Sequence, residues 1–444
     1  MNETKKVTTW KFPKDFWIAN VMELFERAAY YSFFIVLTLY LTNIVGFDDK
    51  ATGIIAGVFY AGIFFLTPFM GAIADKIGFR NGMLLTFTFL SIGYFSLAII
   101  HTKVFVLFFL LIVMIGGAFI KPLITGTVAK TTNQDNRARG YSLFYWVVNI
   151  GAFSGKTFVP FVRQSMGLEH VYLFSAGMAL FALLFTFLFY NPKNFDGEKK
   201  SVKQIADTLF KVIKTPRLVF LILIVSGFWI TQGQLYASMP KYVIRLLGES
   251  AKPEWLANVN PLIVVMFVVL VTQLMRNKKA VTSILIGMML MPFSALAMSL
   301  GQSIEGDANN LVSVFGLISL HPLTLMMIIG IAIQGFAECF ISPRYLEYFS
   351  LQAPKGEEGL YLGFSHLYNF VSSLAGFIMS GFLLDKYCPD PNTLSTGLSE
   401  IERASYYAHA HYIWYYFMAI GFVAVIALLI FKYVTEKIDA KKVN

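Results

Sequence analysis

Long apolar runs alternate with short polar turns along almost the whole of the 444-residue chain. A helix needs about 20 apolar residues to cross the ~30 Å hydrocarbon core of a bilayer. By that rule the pattern predicts twelve spans. Six lie near 16–43, 51–74, 81–100, 103–128, 140–163 and 168–190. Six more lie near 216–240, 256–275, 280–302, 320–350, 358–386 and 407–432. The longest basic stretch, NPKNFDGEKKSVKQIADTLFKVIKTPR, falls between the two sets. It divides the chain into an N-terminal six-helix bundle (1–190), a linker (191–215) and a C-terminal six-helix bundle (216–444). Within the linker, SVKQIADTLFKVI has the spacing of a helix that lies along a membrane surface.

Composition agrees: 57% of residues are hydrophobic and only 14% charged, too few charges to wet a soluble domain of this length. The net charge of +10 would suit a nucleic-acid binder, but the basic residues sit in short loops between apolar runs. About 24 Lys and Arg fall in the N-terminus, the even-numbered loops and the C-terminus, against about 8 in the odd-numbered loops. That bias predicts cytoplasmic termini and a cytoplasmic linker. Two cysteines, Cys339 and Cys388, exclude a disulfide framework, and no Cys/His spacing suggests a metal site. Met1–Asp15 leads into a full-length span, so no cleavable signal is expected.

The first span carries the run ELFERAAYY, with Glu23, Glu26 and Arg27 ahead of Tyr30 and Tyr31. Residues three and four apart share a helix face, so these five form one polar stripe. A charge near the centre of a span costs roughly 2.5–3.5 kcal/mol, and three clustered charges need partners. Either they are a structural ion pair that locks the first span to its neighbours, or they bind and release protons beside a watered cavity. Ionisable groups within a membrane default to the second role. Lys121, beside Pro122 in the fourth span, sits too far from either end to snorkel. Lys156 lies seven residues beyond Asn149 on the same face of the fifth span. It is either a cargo or proton contact or a snorkeller near the outer headgroups. His366 either relays protons or packs. Glu338 in the tenth span is an acid to match those of the first; its alternative is a neutral carboxylic acid in apolar surroundings.

Two six-span halves around a cytoplasmic linker resemble the major facilitator superfamily, whose cargo site lies mid-membrane between the halves. The loop GAIADKIGFR places Gly71, Asp75, Lys76, Gly78 and Arg80 in the G-x-x-x-D-K-x-G-x-R order of that superfamily's cytoplasmic loop. Further segments narrow the likeness: IGGAFIKPLITGTV with Lys121, RGYSLFYWVVNIGAFSG with Tyr145 and Asn149, NVNPL with Asn260, and GFAECFISP with Glu338. With ELFERAAYY they resemble the proton-dependent oligopeptide transporter family over residues 12–380. The resemblance implies an all-α fold of twelve transmembrane helices with a central cavity. It makes Glu23, Glu26 and Glu338 the proton-coupling acids. Arg27 and Lys121 would attract a cargo carboxylate, and Glu338 the amino terminus, with Asn149 and Asn260 adding hydrogen bonds. Tyr30, Tyr31, Lys156, Trp229 and Gln232 complete the candidate cargo contacts.

The chain also departs from that family. Ala28 and Phe34 replace a phenylalanine and an arginine of the first span, and Phe64 a tyrosine of the second. The seventh-span acid is missing, with Gln232 and Gln234 in FWITQGQLY, and Ser365 stands for an aromatic of the eleventh span. The expectation is therefore proton-coupled symport of small peptides or peptide-like zwitterions. The alternative is a carrier or exporter of an organic anion, metabolite or drug. A polytopic enzyme is disfavoured, because no H-E-x-x-H, Ser/His pair or paired aspartates occur at bilayer depth. No cofactor, metal or nucleic acid is expected, only a proton gradient, membrane lipid and a small-molecule cargo. A monomer in a bacterial inner membrane fits these features.

Overall fold

A bilayer core holds no water to satisfy backbone N–H and C=O groups, so apolar runs close their hydrogen bonds within helices. The computed structural model describes residues 11–133, 136–192, 202–303, 311–314, 318–352, 364–395 and 399–443. Among the described residues the fold is all-α apart from one antiparallel hairpin, β1 (Val312–Val314) and β2 (Ile318–Leu320), with Ser313 opposite Ser319.

The first set of helices is α1 (Lys14–Asn43), α2 (Asp49–Ile77), α3 (Phe79–Ile99), α4 (Lys103–Lys130), α5 (Arg137–Met166) and α6 (Val171–Phe189). The linker forms α7 (Val202–Ile213), within the stretch the sequence marked as helical. The seventh span, expected as one helix over 216–240, is broken into α8 (Pro216–Gln232) and α9 (Gln234–Ala237), and α10 (Met239–Leu247) follows it. Gly233 is a weak helix former at the first break, and Pro240 contributes no N–H beyond the second. There Ser238 Oγ donates to Gln234 Oε1 at 2.7 Å, a local side-chain bond of the kind that competes with the helix ladder. Next come α11 (Pro253–Leu256), α12 (Val259–Met275), α13 (Ala280–Ser303) and α14 (Pro322–Gln352). The chain continues with α15 (Leu367–Tyr387), α16 (Glu400–Tyr407) and α17 (Tyr412–Val443).

Among the described residues, eleven helical stretches are long and apolar enough to cross a membrane. The chain is a multi-pass membrane protein. The residues expected as the fifth span form α5, 30 residues long, a helix that is not one of these eleven. Its Asn149, Lys156 and Arg163 keep its composition outside that apolar set.

Contacts group the chain into two compact units, Met1–Val36 with Gly62–Ala206, and Leu37–Ala61 with Asp207–Asn444. The first unit packs α3 on α4 and α6. Phe33 meets Tyr94 and Tyr172, each at 5.0 Å between ring centroids. Its α5 lies against α1 through Gly151 and Gly155: a Cβ at Gly155 would stand 2.5 Å from the Ala28 carbonyl oxygen. In the second unit α14 packs on α12 and α13, and α8 on α15 and α17. There Gly53 and Gly381 bring the start of α2 onto α15, where a Cβ at either would stand 2.4 Å from the other helix's backbone oxygen. Such small-residue contacts let spans associate where burial from lipid gives no hydrophobic drive.

Candidate functional site

In the first unit, α1 carries the charged stripe at the spacing its sequence dictates. Glu23 (4% exposed) and Glu26 (1% exposed) share the guanidinium of Arg27. Arg27 Nε donates to Glu26 Oε2 at 2.5 Å and stands 3.3 Å from Glu23 Oε1. Glu23 Oε2 is buried without a hydrogen-bond partner among the described residues. Two carboxylates on one guanidinium leave one negative charge uncompensated at first contact.

Lys121 completes the balance without touching. Its charge acts on Glu23, Glu26 and Arg27, but among the described residues it forms no direct ion pair. Its Nζ lies over the Phe64 ring at 4.8 Å from the centroid. The phenylalanine at that departure therefore offers a cation a π face in place of a hydroxyl. The arginine fork also sits over Tyr30 at 5.2 Å and Tyr31 at 6.0 Å. Phe34 stacks on Tyr30 at 5.5 Å.

Lys156 is 1% exposed and lies 5.5 Å from the Tyr31 ring centroid. Of its two readings, snorkelling to the headgroups is excluded, since a snorkelling ammonium sits in water. Asn149 donates its Nδ2 to the Tyr145 carbonyl at 2.8 Å, so that amide is engaged within its own helix. In the cytoplasmic-loop motif, Gly78 has φ +84° between α2 and α3, a conformation that suits only glycine well. Arg80 donates to the Tyr190 and Phe187 carbonyls at 2.9 and 3.1 Å and so caps α6. Gly71 lets Pro122 of α4 approach, with 3.2 Å from a would-be Cβ.

In the second unit, Glu338 is half-buried on α14. Gln232 Nε2 donates to its Oε2 at 2.6 Å, and Asn260 Nδ2 to the same oxygen at 3.4 Å. The structure thus brings together Gln232, Asn260 and Glu338 from three separate helices. Trp229, half-buried one turn before Gln232, stacks on Tyr368 at 5.0 Å. Ser365 is fully buried, and its carbonyl accepts the Tyr345 hydroxyl at 2.9 Å. His366 lies at the N-terminus of α15, 6.0 Å from the Tyr368 ring.

Two features of this unit went unread in the sequence. Asp49 bonds Lys241 at 2.6 Å and both amino groups of Arg245 at 2.7 and 3.0 Å; Lys241 also bonds Thr42. Arg245 further reaches the Cys388 carbonyl at 2.5 Å and Asp390 at 3.7 Å. Lys241, beyond the end of the seventh span, has its ammonium pushed down to about 8 by burial, against the opposing pull of Asp49. The second feature is Gln334, fully buried one turn before Glu338.

The sequence and fold compare with known proteins as follows. Dipeptide and tripeptide permease B of Xenorhabdus bovienii (strain SS-2004) is 28% identical over 176 residues, 39% of this chain and 36% of that protein. The protein of the same name from Photorhabdus luminescens is 26% identical over 219 residues, 48% of this chain and 45% of that one. The matched region spans less than half the length of these curated relatives. A crystal structure of a POT family transporter in complex with 5-aminolevulinic acid aligns with TM-score 0.71 at 18% identity, covering 96% of this chain and 97% of that one. A solved peptide transporter POT in complex with sulfate aligns with TM-score 0.71 at 17% identity, covering 96% and 95%. At such identities the likeness shows the fold. The Major Facilitator Superfamily model matches residues 19–308, more than half of the chain. That family consists of transporters rather than enzymes. The chain belongs to the Major Facilitator Superfamily.

Proposed function

We propose that the chain is a proton-driven symporter that carries di- and tripeptides, or zwitterions like them, into a bacterial cell across its inner membrane. The observation that carries this reading is the α1 cluster: two buried carboxylates on one guanidinium, with one oxygen of Glu23 unpartnered among the described residues. A buried carboxylate short of cationic partners takes up a proton. Cargo that draws Arg27 or Lys121 toward its own carboxylate would remove such a partner, which links loading to protonation. Glu338, held by two amide donors, supplies the complementary acid for an amino group. The named relatives, which are dipeptide and tripeptide permeases, support the cargo class.

On this reading twelve spans form two six-helix halves, with both termini cytoplasmic. Movement of one half against the other exposes the loaded site to each side in turn. No cofactor takes part, and the monomer is the working unit. The test uses proteoliposomes of the full chain under an inward proton gradient. Labelled di- and tripeptides accumulate above their external concentration, and a protonophore abolishes the excess. Gradient-independent equilibration across a broad peptide panel would falsify peptide symport.

One observation favours a second cargo. The first unit's polar cluster holds three cations, Arg27, Lys121 and Lys156, against two carboxylates. Such a surplus suits an organic anion. Accumulation of organic acids but not peptides in the same vesicles is the outcome expected of that reading.

A further inference from the structure

Only Lys214 and Thr215 separate α7 from Pro216, where a membrane-spanning stretch begins. A chain covers at most about 3.6 Å per residue, so the last turn of α7 lies within about 11 Å of that span, inside the reach of the headgroup layer. On α7, Ile205 and Val212 are buried and Leu209 half-buried, which gives one covered stripe at spacings of four and three. The next sector around the helix is uncovered: Phe210 is 60% and Ile213 54% exposed, three residues apart. Lys203, Phe210 and Lys214 stand seven and four residues apart, the spacing of a single line along a helix. Both lysines are exposed, and Lys214 Nζ lies over the Phe210 ring at 4.4 Å from the centroid. Lys211 adds a third exposed ammonium, against one acid, Asp207.

We propose that α7 is a docking surface for anionic phospholipid: Phe210 and Ile213 enter the boundary between headgroups and acyl chains, and Lys203 and Lys214 hold lipid phosphates on either side of Phe210. An apolar edge beside a lysine edge is the pattern of a helix lying in the membrane plane. Position favours lipid over a protein partner, because acyl chains already surround the start of the adjoining span. Charge then selects the lipid. A zwitterionic headgroup carries its own ammonium, which offsets its phosphate, whereas phosphatidylglycerol keeps its negative charge for the lysines. Arg217, in the first turn of α8, is taken up by Asp439 and the Tyr348 hydroxyl, so lipid recognition falls to α7 itself. None of this depends on the cargo.

The test places the full chain in nanodiscs of phosphatidylcholine, with or without a minority of phosphatidylglycerol, and follows hydrogen exchange of the α7 amides. Wild-type α7 exchanges at least about tenfold more slowly when the anionic lipid is present, as two lysines at a charged surface allow. Salt at about 1 M removes the slowing, because the Debye length falls to about 3 Å. The double variant Lys203→Gln/Lys214→Gln exchanges alike in the two membranes. Lys278→Gln/Lys279→Gln takes the same charge from the exposed turn between α12 and α13 and keeps the wild-type difference. Equal exchange of wild-type α7 in the two membranes overturns the proposal and leaves Phe210 and Ile213 to neutral lipid or a protein partner. Slowing that persists in the Lys203/Lys214 variant overturns it as well. The salt series uses wild-type protein alone and reads the same contact should a variant fail to fold; slowing that survives the salt is equally fatal.

Discussion

At Asp49 a single carboxylate, 4% exposed, receives both Lys241 and Arg245. Removing the shared acid would leave two buried cations, a loss of about 3–5 kcal/mol for a broken buried pair. Removing Lys241 is different, because Arg245 still grips Asp49 with both amino groups. Burial pushes the Lys241 ammonium down to about 8 from 10.5, so the charge is held at a cost near neutral pH. Between about 8 and 10.5 the unfolded chain binds the proton and the folded chain does not, so stability from this group rises with pH in that window. Wild type should therefore gain melting temperature relative to Lys241→Met as pH is raised through 8, and show no such drift between pH 6 and 7. A constant difference across the whole range would show that Lys241 keeps an ordinary ammonium. Sequence reading missed this cluster for a physical reason. Lys241, Arg245 and Asp49 lie at span ends, where charges ordinarily set topology in water. Only the folded chain brings residues 49, 241, 245 and 390 to one buried point. Glu23, Glu26 and Arg27 were legible because they interrupt an apolar run, where no solvated reading exists.

Helices reveal their spacing in sequence more readily than their neighbours. Run lengths alone place α1 to α4, α6 and the linker helix close to their observed bounds, because a bilayer demands a fixed apolar length. They do not foretell the break of the seventh span, which turns on Gly233 and a side-chain bond to Gln234. Nor do they show which glycines touch. The G-x-x-x-G of Gly151 and Gly155 on α5 faces α1 at Leu24, Arg27 and Ala28. Ala28 is where Gly155 packs. A methyl at Gly155 would overlap the Ala28 carbonyl and push α5 from the helix that carries the charged stripe. Gly155→Ala should cost about 1–3 kcal/mol of stability, the usual range for an overpacked contact. It should also slow transport by more than its loss of folded protein. Gly177→Ala on α6 is the control: a Cβ there meets nothing within 4 Å, and replacing glycine within a helix adds roughly 0.5–1 kcal/mol. Equal behaviour of the two variants in thermal melts and uptake would refute the contact argument.

For the whole molecule, composition and loop charge were sufficient to reach a multi-pass carrier, since both follow from the bilayer as solvent. The cargo is less legible, because hydrogen bonds such as Gln232 to Glu338 depend on helices distant in sequence. On the proposed reading, coupling belongs to this scale, because it would join a proton on α1 to turnover of the entire chain. If Glu26 is the carboxylate that must be protonated and deprotonated in each cycle, Glu26→Gln fixes it in the neutral hydrogen-bonding form. The variant keeps the side-chain volume and leaves Arg27 its pairing with Glu23 at 3.3 Å. Exchange of labelled for unlabelled peptide needs loading and reorientation but no net proton movement. Glu26→Gln should then retain counterflow exchange within about a factor of ten of wild type, a loss of no more than about 1.4 kcal/mol. Under an imposed proton gradient the same vesicles should show no accumulation above equilibrium. Glu23→Gln provides the comparison, since Glu23 Oε2 has no hydrogen-bond partner among the described residues and its loss disturbs Arg27 less. If gradient-driven accumulation survives in Glu26→Gln but fails in Glu23→Gln, the coupling role moves to Glu23. If both variants still concentrate peptide, protons enter elsewhere, and the α1 cluster is the structural ion pair of the first alternative.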